Sequence, residues 1–247
     1  MSGDLARELE FLYNKICTKD FIASDPVQFP RRYAKREDIE VAAFLTAAIA
    51  WGRRGIIIAS AEKMFALMNQ SPYDFVMSGG YKKLKNANIH RTFFEEDLKY
   101  FCRGFERCYV KYGSMEKLFA CTSGIWEGIA LFREEAAGAN RNKYSRHIAD
   151  PGTENKKGSA CKKMNLALRW LVRKGPVDLG LWKSIKPASL FIPFDVHVAR
   201  TARRLGLLER KSDDKKAVIL LTEKLREFCP EDPVKYDFAL FGMGALQ

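Results

Sequence analysis

Apolar residues recur along this chain at helical spacing almost from end to end. "REDIEVAAFLTAAIAWG" opens with acidic residues and runs into a mostly apolar stretch ending at Gly52, which predicts a buried helix with Asp38 and Glu40 in or near its first turn. "GIIIASAEKMFALMNQ" continues as a second helix, and Ser71-Pro72 marks its stop. In "TFFEEDLKYFCRGFERCYVKYG", Phe94, Leu98, Phe101 and Phe105 fall on one face of a long amphipathic helix. "SMEKLFA" and "SGIWEGIALFREEAAGA" supply two more, each opened by a serine.

Residues 138–160 are polar and rich in Gly, Asn and Lys, the composition of a long surface loop. "ACKKMNLALRWLVRKG" returns to helix, with Met164, Leu168 and Leu171 on one face and Gly175-Pro176 as the stop. Val198, Ala202 and Leu205 do the same after Asp195, leaving Arg200, Arg203 and Arg204 toward solvent. "DDKKAVILLTEKLREFC" is a further helix. "DPVKYDFALFGMG" is the last, with Asp232 placed as N-cap and Pro233 at the first helical position. "SLFIPF" is the one strand-like stretch, and Pro193 demotes it to a connector. The predicted class is all-α. Trp126, Trp170 and Trp182 read as core residues, with Trp182 also placed to line a pocket.

Charge changes the picture more than composition does. The chain has 247 residues, and 42 Lys+Arg against 30 Asp+Glu leave it at +12. A surplus of that size points to a polyanionic partner, most often nucleic acid. No apolar run reaches the ~20 residues of a membrane span. The N-terminal residues lack the apolar core of a signal peptide, so a cytoplasmic protein is expected. Six scattered cysteines form no CxxC pair, and His90, His147 and His197 show no ligand spacing. No metal and no cofactor are expected, and the six thiols are expected to be reduced.

Two short stretches carry the candidate chemistry. Asp195 precedes the helix "VHVARTARRLGL", where it would accept backbone N–H bonds and be held ionised by the helix dipole. Lys162 and Lys163 open an otherwise apolar helix after the glycine-containing "KKGSA". A partly desolvated lysine can lose its proton and attack a sugar carbon or a carbonyl. Each feature alone also has a plain reading, as a helix cap and as two solvated lysines.

Together, "GSACK" (158–162) and "FDVHVARTARRLGL" resemble the helix-hairpin-helix DNA glycosylases, a superfamily that includes endonuclease III, the adenine glycosylases and the 8-oxoguanine glycosylases. Its pattern sets a hairpin L-P-G-V-G-x-K before an Asp in V-D-T-H-x-x-R-x-x-x-R-L. On that resemblance Lys162 matches the Schiff-base lysine and Asp195 the catalytic aspartate, with Lys163 as the alternative nucleophile. Asn165 matches a position that is often polar in the endonuclease III branch. Ala160 stands where the second hairpin glycine would be, and Asp195 follows Lys162 by 33 positions, more than the superfamily's usual spacing. The four-cysteine iron–sulfur motif of the endonuclease III branch is absent. The stretch from "CKKMN" to "YDFALFGMG" is also similar to a family of uncharacterised bacterial proteins in or near this superfamily.

The resemblance implies a two-lobed all-α fold: an inserted lobe over 35–180, a second lobe of 1–34 plus 181–247, and a cleft between them. It implies excision of a damaged base from double-stranded DNA, with strand cleavage through Lys162. The lysine-bearing branches point to a purine lesion such as 8-oxoguanine. Lys156, Lys157, Gly158, Ser159, Arg53, Arg54 and Arg200 would contact DNA, and Trp51, Trp182 and His197 would line the base pocket. A monomer is expected. The alternative is a structure-specific DNA- or RNA-binding protein that keeps the fold without the chemistry.

Overall fold

The computed structural model describes residues 2–139, 144–153 and 155–245. Among them the chain is predominantly helical, with a single two-stranded sheet, so the class is all-α. No described helix is long and apolar enough to cross a membrane. The chain divides into a terminal unit, Met1–Phe21 with Pro151–Gln247, and a central unit, Ile22–Asp150.

In the terminal unit lies α1 (Ser2–Ile16), while α2 (Lys19–Ala23) spans the division. The central unit continues with α3 (Arg36–Ala48), α4 (Arg54–Leu67), α5 (Pro72–Met77), β1 (Asn88–His90), β2 (Phe93–Phe94), α6 (Glu95–Tyr112), α7 (Met115–Ala120) and α8 (Ile125–Ala137). The terminal unit resumes with α9 (Lys162–Val172), α10 (Val196–Arg204), α11 (Lys215–Arg226) and α12 (Asp237–Ala245).

The central unit is built on α3, whose residues from Asp38 to Ala48 are all buried. Its Glu40 is fully buried yet satisfied: the carboxylate accepts from the Tyr109 hydroxyl at 2.9 Å and the Met115 amide at 3.2 Å. Two long helices pack beside it. Phe101 and Phe105 of α6 meet Phe132 of α8 at ring distances of 6.2 and 5.3 Å. Gly104 lets α6 approach Ala136 closely. Leu98, Phe101 and Phe105 take the buried face that their spacing predicts. Phe94 does not: it is partly exposed in the N-cap position, because β2 occupies the residues where the spacing predicts the start of the helix. Gly113, at φ +81°, ends α6 in a left-handed cap that a side chain would strain. Ser114 caps α7 by accepting from the Lys117 amide at 3.1 Å, whereas Gly124, not Ser123, stands before α8.

The terminal unit holds a buried ionic network. Arg169, on α9, and Arg173, the residue that caps its end, are 4% and 2% exposed. A buried guanidinium is tolerable only with its donors paired. Asp178, itself 1% exposed, accepts from Arg169 Nε at 3.3 Å and Arg173 Nη1 at 2.9 Å. Asp232 takes Arg173 Nε at 2.8 Å, and the Tyr13 hydroxyl of α1 accepts from its Nη2 at 2.6 Å. Asp237 pairs with Arg169 Nη1. Asp232 therefore stands in the cap position but spends its carboxylate on Arg173, with no side-chain cap bond.

This network ties residues 162–178 to the C-terminal helices and to α1. Residues 151–180 group with the terminal unit, whereas the resemblance implies a lobe spanning 35–180. In "SLFIPF", Ser189 ends a short 3-10 turn and residues 190–194 form neither helix nor strand. Of the surface loop expected over 138–160, residues 140–143 and 154 lie outside the described residues.

Candidate functional site

Asp195 is the N-cap of α10. One carboxylate oxygen, Oδ1, accepts from the His197 amide at 2.9 Å and the Val198 amide at 3.0 Å. These bonds satisfy helix N–H groups that otherwise lack a partner and fix the rotamer. The other oxygen, Oδ2, lies 3.6 Å from Nζ of Lys162, the first residue of α9. The side chains are 18% and 27% exposed, so the pair is shielded from solvent but still reachable. The chain between them folds so that the two meet. Oδ1 holds the carboxylate in place, and Oδ2 faces the lysine.

Two structural features frame the lysine. Cys161, just before it, has φ +47°, a left-handed conformation that costs a side-chain-bearing residue about 1–2 kcal/mol. Asn165, one turn on and buried, donates to the Ala160 carbonyl at 3.1 Å, tying the preceding chain to α9. Lys163, the second residue of α9, is half-buried.

Behind the pair lies a residue that sequence reading missed. Asp237 is buried at the start of α12, where burial raises its carboxyl to about 7; Arg169 opposes the shift and Asp195 reinforces it. A sign of this centre was present in the sequence: two arginines four apart among Leu168, Trp170 and Leu171 demand buried acidic partners.

The segment expected to contact DNA through Lys156, Lys157, Gly158 and Ser159 also has a structural task. Among the described residues from 144 to 161 there is no helix, so Gly158 and Ser159 do not lie in a turn joining two helices. Ser159 bridges Asp214, the Gly158 carbonyl accepts from the Lys215 amide at 3.0 Å, and Lys157 reaches Asp214 at 3.3 Å. Asp214 in turn caps α11 through the Ala217 amide at 3.0 Å. The segment docks the start of α11. Gly158 is required because a Cβ there would overlap the Pro151 carbonyl. Gly158→Ala is therefore expected to cost at least about 1–3 kcal/mol, read as a lowered urea midpoint.

The other candidates divide between the units. Lys156 and Arg200 are exposed in the terminal unit. His197 is half-buried on α10, its ring 6.1 Å from Phe241, and its buried Nδ1 has no hydrogen-bond partner among the described residues. Trp182 is 1% exposed and packs in the core, so it does not line an open pocket. Trp51, Arg53 and Arg54 belong to the central unit. The Trp51 ring stacks on His147 at 5.3 Å and meets the edge of His90 at 4.6 Å. Arg53 is exposed before α4, and Arg54 lies 3.8 Å from Asp25.

No curated protein and no solved structure matches the chain. Residues 25–246 match a family described as a protein of unknown function, DUF2400, and over that span the chain belongs to this family.

Proposed function

We propose that the protein is a DNA glycosylase with lyase activity, removing a damaged base through Lys162 and Asp195. The observation that carries the reading is the 3.6 Å approach of Lys162 Nζ to Asp195 Oδ2, with Oδ1 locked by two backbone amides.

The chemistry follows from that arrangement. Asp195 accepts a proton from the Lys162 ammonium, which frees the nitrogen lone pair. The amine forms a bond to C1′ of the deoxyribose as the C1′–N bond to the base breaks. The base leaves with the bonding electrons and takes the proton that Asp195 holds. The carboxylate so restored stabilises the positive charge that develops on the sugar. Opening of the sugar ring then converts the C1′ adduct to a Schiff base, from which the strand can be cut. The base must first leave the duplex stack, at a cost of a few kcal/mol. The net charge of +12 supplies the non-specific attraction to phosphate.

The test is base release from duplex oligonucleotides carrying single lesions, 8-oxoguanine first among them. Wild-type protein is expected to release a lesion base and to cut the strand without added alkali. A protein that binds these duplexes with a steep salt dependence, yet releases no base from any of them, would be the non-catalytic binding protein instead.

A further inference from the structure

We propose that Asp237 is a positioning residue for this reaction, drawing the proton shared by Lys162 and Asp195 toward Asp195. The proposal rests on the glycosylase–lyase reading.

The placement comes from helix register. The ring of Phe241 in α12 lies 6.1 Å from that of His197 in α10, and a Cβ on Gly244 would meet Thr201 at 2.9 Å and His197 at 3.2 Å. The two helices thus run side by side in the same direction. One turn back from Phe241 and just before His197, the register brings Asp237 to the level of Asp195. From α9, Arg169 pairs directly with Asp237, and Lys162 lies two turns earlier on the same helix. The charged groups acting on Asp237 are Arg169 and Lys162 from α9, Asp195 at the head of α10, and Asp178 from the chain after α9. From α1, Tyr13 meets Phe238, and its hydroxyl is taken by Arg173.

The direction of the effect follows from the placement of these groups. Asp237 stands level with Asp195 through the packing of α12 on α10, while Lys162 lies two turns along α9 from Arg169, the direct partner of Asp237. An ionised Asp237 therefore disfavours the Asp195 carboxylate more than it favours the Lys162 ammonium. The proton moves from nitrogen to Asp195 Oδ2, and the neutral amine needed for attack becomes more populated. Asp237 is poised to ionise near pH 7, so this assistance is switched on as the pH passes through neutrality.

Two measurements decide it. The first needs no DNA: carboxyl carbon NMR of aspartate-labelled protein, with the Asp237 signal identified as the one lost in Asp237→Glu protein. In Asp195→Asn, which keeps a capping side chain, loss of the neighbouring charge is expected to move that titration to lower pH. An unchanged midpoint overturns the coupling. The second is the pH profile of single-turnover adduct formation on abasic duplex DNA, trapped with borohydride. The wild-type rate is expected to rise about tenfold across neutral pH, and folded Asp237→Asn protein to lack that step. An identical step in Asp237→Asn overturns the proposal. Should Asp237→Asn fail to fold, the NMR titration in Asp195→Asn still decides the coupling. A wild type that forms no adduct at any pH overturns the lyase reading and any catalytic use of Asp237, while the NMR result shows separately whether the carboxylates are coupled.

Discussion

Asp195→Asn protein is expected to fold and melt almost as the wild type does, and to lose base release by about 10²–10³-fold. The two halves of this outcome come from the two carboxylate oxygens. Oδ1 serves the helix by accepting from His197 and Val198, and an asparagine oxygen accepts those bonds nearly as well. In the proposed reaction Oδ2 acts by facing Lys162 at 3.6 Å, and there an amide provides neither charge nor proton acceptance. Asp195→Ala removes both roles, so it should also cost about 1 kcal/mol of stability. If Asp195 were only a cap, the ranking would reverse: asparagine would be fully active and alanine merely less stable. Melting curves and single-turnover release, measured on the same preparations, separate the two accounts.

Asp178→Ala is expected to have the largest effect on stability, about 3–5 kcal/mol. Asp178 accepts from both Arg169 and Arg173, and all three are buried. Its removal leaves two guanidinium groups in the core with their charge only partly compensated by Asp237 and Asp232. Against a typical total of about 5–15 kcal/mol, that loss lowers the melting temperature by roughly 10 °C in a chain of this size. Activity should fall mainly with the folded fraction, because Asp178 spends its carboxylate on Arg169 and Arg173. A loss below about 1 kcal/mol in urea unfolding would mean that the arginines find solvent or other partners in the variant.

The helices were legible because local chemistry set them. α3, α4, α9 and α11 follow their apolar periodicity, and Asp195 and Asp214 cap the helices they precede. The β1–β2 hairpin was not legible: its strands have three and two residues, too short for an alternating pattern to register, and its turn puts Arg91 at φ +50°. The Lys162–Asp195 pair could be suspected from two motifs read together. Arg169 and Arg173 among apolar residues signal buried acidic partners but not which ones, because Arg169 and Asp237 lie 68 residues apart and Arg173 and Asp232 lie 59 apart. Only folding brings those charges together. Gly158 is instructive in another way. Its place in a motif suggested a DNA contact, and the close approach of Pro151 and the docking of α11 require a glycine there independently of any ligand.

The most direct measurement is borohydride trapping on abasic duplex DNA, with wild-type, Lys162→Ala and Lys163→Ala proteins compared at equal folded concentration. Lys162 opens α9 facing the carboxylate of Asp195 and is assigned as the nucleophile. The predicted result is a covalent adduct with the wild type and with Lys163→Ala, and none with Lys162→Ala. An adduct that survives Lys162→Ala, or no adduct with folded wild-type protein, would contradict the account.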